Sequence, residues 1–422
     1  MATHAPAGIA SAIRDLTPRQ RNAFIACFLG WSLDAFDFFI LTYCLSAVAA
    51  DFHVTIKQVS EGLFWTLAMR PVGALLFGLL AERWGRKPTL MLNVVCFAVF
   101  ECASAFAPTL TSLLVLRALF GIAMGGEWGV GAALAFETLP AKGRGFFSGL
   151  LQEGYNVGNL LAAAAYWLVF PHLHGTGMLT NWRVMFLLGA LPALLVFYIR
   201  SGVDESPAWR EREAGITPRK ARATGLLQYA GTFAILILLM TAFACFSHGT
   251  QDLYPTFLEK GRGFTPAVVG KISVVANIGA ILGGMGFGAF SERLGRRWTI
   301  ILTSLMAIPM IPLWAWSHSA VMLAAGGFLM QVMVQGAWGI IPAHLNELSP
   351  PAVRAIVPGL TYQLGNLFAS REAPIQAGLA ATHFGGSLQP VLGWTVVVVA
   401  LSVSLFTLLA GERKGQDLSS AH

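Results

Sequence analysis

Apolar stretches of about 20 residues recur along the whole chain, and they constrain its fold more than any other feature. Examples run from Phe24 to Ala50, Leu90 to Ala107, Val184 to Ile199 and Val391 to Ala410. A helix of about 20 apolar residues spans the ~30 Å hydrocarbon core of a bilayer. Only 12% of the 422 residues are charged, whereas soluble domains carry about 25% charged residues. The sequence therefore predicts an all-α polytopic membrane protein.

Twelve apolar segments can be placed, and they form two halves of six helices each. The predicted spans are 22–50, 60–81, 89–107, 111–136, 146–170, 182–200, 226–248, 265–290, 298–316, 319–343, 355–382 and 391–410. The predicted organisation is an N-terminal tail (1–21), an N-terminal bundle (22–200), a linker (201–225), a C-terminal bundle (226–410) and a C-terminal tail (411–422).

The positions of the basic residues predict the orientation of the helices. Twenty Lys and Arg residues fall on one predicted side of the membrane, in the tails, the linker and the loops of that side. The opposite side holds only five, namely Lys57, Arg183, Lys260, Arg262 and Lys271. Positive residues accumulate on the cytoplasmic face, so both termini are predicted to be cytoplasmic. The expected location is the inner (plasma) membrane, with the first helix retained because no signal-peptide cleavage site is recognisable.

Other classes of protein fit the composition poorly. A net charge of +7 would suit nucleic-acid binding, but the basic residues sit in short loops and form no basic face, so no nucleic-acid partner is expected. The five cysteines lie in apolar spans without a Cys-x-x-Cys pair, so neither a metal site nor a disulfide framework is indicated. The motifs of hydrolases, zinc enzymes and nucleotide-binding loops are missing from the sequence. We therefore expect neither an enzyme nor a bound cofactor.

A short charged sequence follows the second helix of each half. The two copies start 210 residues apart and share Gly78, Glu82, Arg83, Gly85 and Arg86 in the first and Gly288, Glu292, Arg293, Gly295 and Arg296 in the second. Glycines permit tight packing of helix and loop, while the acid and the arginines can form a breakable charge cluster. We expect these clusters to latch the two halves together in one state of a rocking cycle.

Together with Asp204-Glu-Ser-Pro207-Ala-Trp209 in the linker, the repeated loop resembles the major facilitator superfamily. The most diagnostic motif of that superfamily is Gly-x-x-x-Asp/Glu-Arg-x-Gly-Arg-Lys/Arg, and the resemblance covers essentially the whole chain. It implies a secondary transporter driven by an ion gradient, with the substrate site near the midplane between two parallel repeats.

Charges within the apolar spans mark candidate functional residues, because each costs ~2.5–3.5 kcal/mol or more at the bilayer centre. Asp34 and Asp37 on the first helix are three residues apart and share a face. Two close carboxylates in a low dielectric resist simultaneous ionisation, so one of them could exchange a proton near neutral pH. We predict a role in proton coupling; the alternative is an ion pair with Arg70 or Arg117. A similar pair occurs in the phosphate and organic-acid proton symporters of the superfamily.

The fourth and fifth helices supply further candidates. Arg117 resembles the helix-4 arginine that the superfamily associates with proton coupling, and Glu127 is assigned to the same process. We expect Glu127 near the periplasmic half of its helix, where a salt bridge or an interfacial position is the alternative. Tyr155 and Asn156 lie in a polar run of the fifth helix, which favours a substrate-binding cavity wall over hydrogen bonding between helices.

The seventh helix carries the sharpest substrate signal. His248 and Asp252 lie on one face at a spacing of four, and a histidine held by a carboxylate can shuttle a proton. The stretch resembles the signature of the lactate–pyruvate proton symporters, within the sialate–proton symporter branch, although Ala244 replaces an Asn of that signature. We assign His248, Thr250 and Gln251 to substrate binding, and His248 and Asp252 to proton coupling.

The eleventh helix completes the predicted site. Asn366 shares a face with Gln363 and Ser370 and is assigned to substrate binding. Arg371 could hold a carboxylate through two parallel N–H groups, a geometry that lysine lacks. Neutralisation by Glu372, or a position at the helix end, is the alternative for Arg371.

These residues predict proton-coupled symport of a small organic anion by alternating access, with a lactate- or pyruvate-like monocarboxylate as the first candidate. Sialic acid, an aromatic acid or another carboxylate is the alternative substrate, ahead of a sugar transporter or a drug:proton antiporter. The expected partners are the carboxylate, protons and the lipid bilayer, and the protein is expected to work as a monomer.

Overall fold

The computed structural model describes the chain in five ranges, 16–139, 144–173, 179–214, 229–349 and 357–412. Within them the chain is helical, and the twelve-helix, all-α prediction is confirmed. The helices of the N-terminal half are α1 (Pro18–Asp51), α2 (Ile56–Trp84), α3 (Arg86–Ala105), α4 (Leu110–Thr138), α5 (Arg144–Leu168) and α6, which runs in pieces over Asn181–Leu188, Leu191–Leu194 and Leu195–Gly202.

The C-terminal half repeats this arrangement with more interruptions. Its helices are α7 (Ala230–Gln251, then Tyr254–Thr256 and Phe257–Gly261), α8 (Pro266–Leu294), α9 (Arg296–Met306, then Ile308–Met310 and Pro312–Trp316), α10 (Ala320–Trp338 and Ile341–Leu348), α11 (Val357–Ala369 and Glu372–His383) and α12 (Leu388–Ala410). A short linker helix, Pro207–Glu213, follows α6.

The helix ends fall within a few residues of the predicted spans. Thr17, Thr55 and Thr109 each cap a helix through a reciprocal pair of hydrogen bonds with the residue three positions on, which satisfies backbone N–H groups of the first turn. The cap at Thr17 starts α1 inside the predicted N-terminal tail. Residues 1–15 of that tail, 215–225 of the predicted linker and 413–422 of the C-terminal tail lie outside the described residues.

Nine helices of the described part of the chain are long and apolar enough to cross a membrane. The other three passes are α5, which carries several polar residues, and α6 and α11, which are interrupted. In α11 the break falls at Ser370 and Arg371.

Pairs of helices within each half pack at equivalent positions. Gly73 on α2 lies against the carbonyl of Ile122 on α4, and Gly283 on α8 lies against the carbonyl of Val332 on α10. A Cβ at either glycine would collide with that carbonyl, so the close approach needs glycine. Both residues of the second pair lie 210 positions after those of the first, so the repeat extends from the loops into the packing of the bundles.

Candidate substrate-transport site

A narrow cavity lies between the two halves. The N-terminal half lines it with Arg70, Gln152, Glu153, Tyr155 and Asn156, and the C-terminal half lines it with Ser247, His248, Gln335, Trp338, Gly339, Tyr362 and Asn366. Its free volume is about 20 Å³, room for about one water molecule. The cavity is therefore too small for an organic anion in this conformation, and it must widen to admit one.

The positive charge facing this cavity is Arg70 of α2. Its side chain is buried, and its guanidinium carbon lies 5.6 Å from the centre of the Trp31 ring and 5.7 Å from that of Tyr362. Nε and Nη2 of Arg70 have no hydrogen-bond partner among the residues described. Since Trp31 belongs to α1 and Tyr362 to α11, the guanidinium contacts both halves while keeping free N–H donors.

The structure corrects the predicted position of Arg371. This residue lies at the break in α11, outside the cavity, with 54% of its side chain exposed. It forms an ion pair of 3.0 Å with Glu61 of α2, and its guanidinium carbon lies 3.7 Å from the centre of the Phe64 ring. The interruption after Ala369 carries Arg371 away from the polar face of Asn366, so the cavity arginine is Arg70 instead.

The α5 candidates line the cavity, together with two residues of α5 that were not assigned from the sequence. The ring of Tyr155 packs 5.7 Å from Trp31 and 5.2 Å from Phe39, between centroids. Asn156 donates a hydrogen bond of 2.9 Å to Glu153 and lies 3.5 Å from the amide oxygen of Gln335 on α10. The additional α5 cavity residues are Gln152 and Glu153, and their place in the polar run of α5 could have identified them.

The polar residues of α7 form two separate groups. His248 lines the cavity, and its Nδ1 lies 3.2 Å from both carboxylate oxygens of Asp252. Thr250 and Gln251, by contrast, hydrogen-bond to Gln331 of α10 at 3.2 and 2.8 Å. These two predicted binding residues join α7 to α10 and are not part of the cavity wall.

Two glutamines of α10 were missed by the sequence analysis. Gln331 bridges Thr250 and Gln251, while Gln335 donates a 3.1 Å hydrogen bond to Ser247 and lines the cavity. Their spacing of four on one helix face, within an apolar span, was a detectable signal. The remaining α11 candidate, Asn366, lines the cavity and donates a 3.0 Å hydrogen bond to the carbonyl of Tyr362.

Neither helix-1 carboxylate is held by the arginines considered as ion-pair partners. Asp34 and Asp37 are completely buried, and their oxygens accept no hydrogen bond from the described residues. Arg117 instead pairs with Glu101 of α3 at 2.6 Å and donates to Ser104 at 2.7 Å. Glu101 is therefore a further buried charged residue of this half. Its contact with Arg117 depends on the packing of α3 against α4, which residue spacing within one helix cannot predict.

Glu127 lies at a different depth from the one predicted. It packs against Gly30, in the first half of α1, and itself belongs to the second half of α4. The start of α1 meets the end of α4 where Gln20 donates a 3.1 Å hydrogen bond to the Thr138 carbonyl. Because this is the end of the bundle that bears the repeated loop, Glu127 lies toward the predicted cytoplasmic side and not the periplasmic side.

The first repeated loop forms a charge cluster inside the N-terminal half. Arg86 pairs with Glu82 at 2.7 Å and with Glu137 of α4 at 3.1 Å. Its backbone N–H also donates to Glu205 of the linker at 2.9 Å. The indole N–H of Trp209 in the linker helix reaches the carbonyl of Glu82 at 3.2 Å.

The second repeated loop reproduces this cluster in the C-terminal half. Arg296 pairs with Glu292 and lies 3.6 Å from Glu347 of α10, which follows Glu137 by 210 positions. The backbone N–H of Arg296 donates to Glu412 at 2.8 Å, as that of Arg86 does to Glu205. The acids contributed by α4, α10, the linker and the chain after α12 were not identified from the sequence.

The predicted latch between the halves concerns one state of the rocking cycle and stays a prediction. Each cluster closes within its own half, and its described ion pairs do not reach the other half. The exposed Arg83 and Arg293 take no part in the described ion pairs of the clusters. The described ion pairs therefore connect elements of the same half in this conformation.

The glycines of the two loops serve different purposes. Gly85 (φ 103°, ψ 164°) and Gly295 (φ 97°, ψ 154°) occupy a backbone region essentially restricted to glycine. A Cβ at either position would also meet the carboxylate of Glu205 or Glu412. Gly78, however, has no neighbour within 4 Å of an added Cβ, and Gly288 has only backbone atoms of Gly339 at 3.4 Å or beyond. The predicted tight packing thus applies to the second glycine of each loop.

The chain is similar in sequence to known transporters. The chain is 29% identical to the carboxylic acid transporter protein homolog of Saccharomyces cerevisiae, with coverage of 97% of this chain and 71% of the relative. It is 28% identical to the sialic acid transporter NanX of Escherichia coli, with coverage of 94% and 95%.

A solved structure shares the fold. The partially occluded, inward-open xylose transporter XylE from Escherichia coli superposes with a TM-score of 0.74 over 95% of this chain and all of that chain, at 16% identity. At this identity the likeness concerns the fold alone.

The profile of the Major Facilitator Superfamily matches residues 27–370. With its apolar helices, the chain is a multi-pass protein of the inner membrane and a transporter, not an enzyme. On the match over most of its length, this chain belongs to the Major Facilitator Superfamily.

Proposed function

We propose that this transporter couples proton movement to the transport of a small organic anion through the cavity between its halves. The observation that carries the proposal is the buried Arg70 guanidinium, which faces the cavity and has Nε and Nη2 free of partners in the described chain. A buried unpaired charge is costly. A substrate carboxylate would neutralise it and accept two parallel hydrogen bonds.

Proton coupling is supported by titratable groups on both sides of the cavity. Asp34 lies within electrostatic range of Arg70, while His248 and Asp252 form a pair on the opposite wall. A carboxylate that takes up a proton changes the charge balance around Arg70, which can link substrate release to proton release. No cofactor is needed, because the proton gradient supplies the driving force.

The names of the relatives support an organic acid as the substrate class, since they are described as carrying carboxylic and sialic acids. A lactate- or pyruvate-like monocarboxylate is our first candidate. An aromatic acid is the second, because the rings of Trp31, Tyr155, Trp338 and Tyr362 surround or line the cavity near Arg70. We further propose cytoplasmic termini and a functional monomer embedded in lipid.

The test is uptake of labelled lactate, benzoate and sialic acid into vesicles containing the purified protein, with and without an imposed inward proton gradient. We expect at least one acid to accumulate only with the gradient, and its neutral amide to be neither carried nor competitive. If all three acids fail to accumulate while a neutral sugar does, the proposal is wrong.

A further inference from the structure

We propose that Glu153 forms a second substrate subsite, which accepts a hydrogen bond from the substrate. The transported anion then carries a hydroxyl or N–H group in addition to its carboxylate. This inference rests on the proposed function and narrows its substrate class. It assigns a role in specificity to a residue of α5.

Glu153 and Arg70 line the same cavity without forming an ion pair with each other. No ion pair between them occurs in the part of the chain that the structure describes. Two opposite charges that share a buried cavity each lose hydration, and that cost is recovered only through a well-placed partner. A ligand with an anionic end and a donor end can satisfy both charges at once.

The Glu153 carboxylate has hydrogen-bond acceptor capacity that the described residues do not use. Its Oε2 accepts a 2.9 Å hydrogen bond from Asn156, whereas its Oε1 accepts none from the described residues. This Oε1 points to Gly284 of α8, where even a Cβ would collide with it. The absent side chain at position 284 leaves room for the carboxylate at the boundary between the halves, and Asn156 fixes its orientation.

The chemistry of the Glu153 carboxylate determines which substrate group it would bind. An ionised carboxylate accepts hydrogen bonds and cannot donate them. It therefore favours a substrate hydroxyl, gains nothing from a methylene, and repels a carbonyl oxygen. Sites built to bond a polar group discriminate strongly against analogues that lack it, because the protein group is left unpaired. Arg70 and Glu153 thus point to a hydroxy acid in preference to its deoxy or keto counterpart.

The experiment compares two matched series of acids by calorimetry on the purified full-length transporter: lactate, propionate and pyruvate, and mandelate, phenylacetate and phenylglyoxylate. In the wild-type protein we expect the hydroxy acid of at least one series to bind about tenfold or more tightly than its deoxy and keto analogues. Glu153→Gln keeps the volume but adds a donor. In this variant we expect the preference over the keto acid to fall at least fivefold.

The matched control is Glu61→Gln, which neutralises a carboxylate outside the cavity and should preserve the wild-type ratios. Equal binding of hydroxy, deoxy and keto acids by the wild type, or ratios that Glu153→Gln leaves unchanged, would overturn the subsite while the carboxylate proposal stands. If no acid of either series binds, the subsite proposal fails, and the uptake test with sialic acid decides the proposed function.

Discussion

The two halves of the transporter hold their buried polar groups in different ways. In the N-terminal half, Asp34, Asp37, Arg70 and Glu127 are buried with oxygens or nitrogens that no described residue satisfies. The C-terminal half joins its polar groups into a network, in which Gln331 links the α7 side chains to α10. The first half therefore contributes the unpaired buried charges, whereas the second half contributes the hydrogen-bonded glutamine network and the His248–Asp252 pair.

This contrast arises within a repeated architecture. Residues that close the loops recur at a spacing of 210, as Glu137 and Glu347 show. At the same spacing the charged residues Arg70, Arg117 and Glu127 are replaced by Ala280, Gly327 and Ala337, respectively. The duplication has therefore kept the parts that pack and brace the helices, while these three buried charges occur in the first copy only.

The largest expected effect comes from removing the cavity arginine. Arg70→Ala leaves the substrate carboxylate without its counter-charge, and truncation of a buried charge partner costs ~2–5 kcal/mol. We expect binding of the carried acid to weaken about 30-fold or more, measured by calorimetry at fixed pH. Arg70→Lys should retain part of the affinity, because the charge remains but the planar fork is lost.

Arg371→Ala is the control for this comparison, since it also removes an arginine but at an exposed ion pair. We expect less than about threefold change in its affinity, in line with the small value of exposed pairs. If Arg371→Ala loses binding while Arg70→Ala keeps it, the assignment of the two arginines must be exchanged.

The next effect separates coupling from binding in the N-terminal half. Asp34→Asn and Asp37→Asn mimic protonated carboxylates, so uptake driven by a proton gradient should fall about tenfold or more. Counterflow exchange needs no net proton movement and should remain near the wild-type rate. Both assays use the same vesicles, and an equal loss in the two would show that these carboxylates bind substrate or maintain the fold.

The C-terminal wall provides a more local test, because two groups of residues on the same helix can be compared. His248→Ala removes a cavity side chain and its pair with Asp252, and we expect concentrative uptake to be lost in protein that remains folded and inserted. Asp252→Asn should have the same effect. Thr250→Val, on the face toward α10, should reduce uptake less than about threefold. Wild-type accumulation by both His248→Ala and Asp252→Asn would contradict a role for this pair.

The smallest effect concerns the stability of the braces. Gly85→Ala forces a side chain into a backbone region restricted to glycine and toward Glu205, at a cost of ~1–3 kcal/mol. Thermal unfolding in detergent should show a lower midpoint for Gly85→Ala and for Gly295→Ala. Gly78→Ala has open space around its Cβ and serves as the matched control. Equal midpoints for Gly85→Ala and Gly78→Ala would show that the loop relaxes at no cost.

The fold followed from the sequence because span length and apolar composition are local properties. The cavity could be predicted only in part. Spacing on a helix face indicated His248 and Asn366, and a polar run in an apolar span indicated Asn156; all three line the cavity. It could not tell Arg70 from Arg371, since that choice depends on where α11 breaks and on how α2 meets the other half.

Thr250 and Gln251 also show that spacing within one helix does not identify the neighbouring helix. Their positions in the α7 pattern are correct, but the helix that faces them is α10, and no property of α7 alone reveals its neighbour. The acids that close the loops are also distant in sequence, as with Arg86 and Glu205. Contacts of this kind arise from packing between helices, beyond the reach of residue spacing.

The small free volume of the cavity has a consequence for the energy balance of the cell. Protons cross membrane proteins rapidly along continuous chains of water, and each leaked charge dissipates ~2.3 kcal/mol per 100 mV of membrane potential. The cavity between the halves has room for about one water molecule, so in this conformation the cavity itself holds no such chain. We therefore expect no uncoupled proton movement through this cavity in this conformation, although many titratable groups lie in the interior of the carrier.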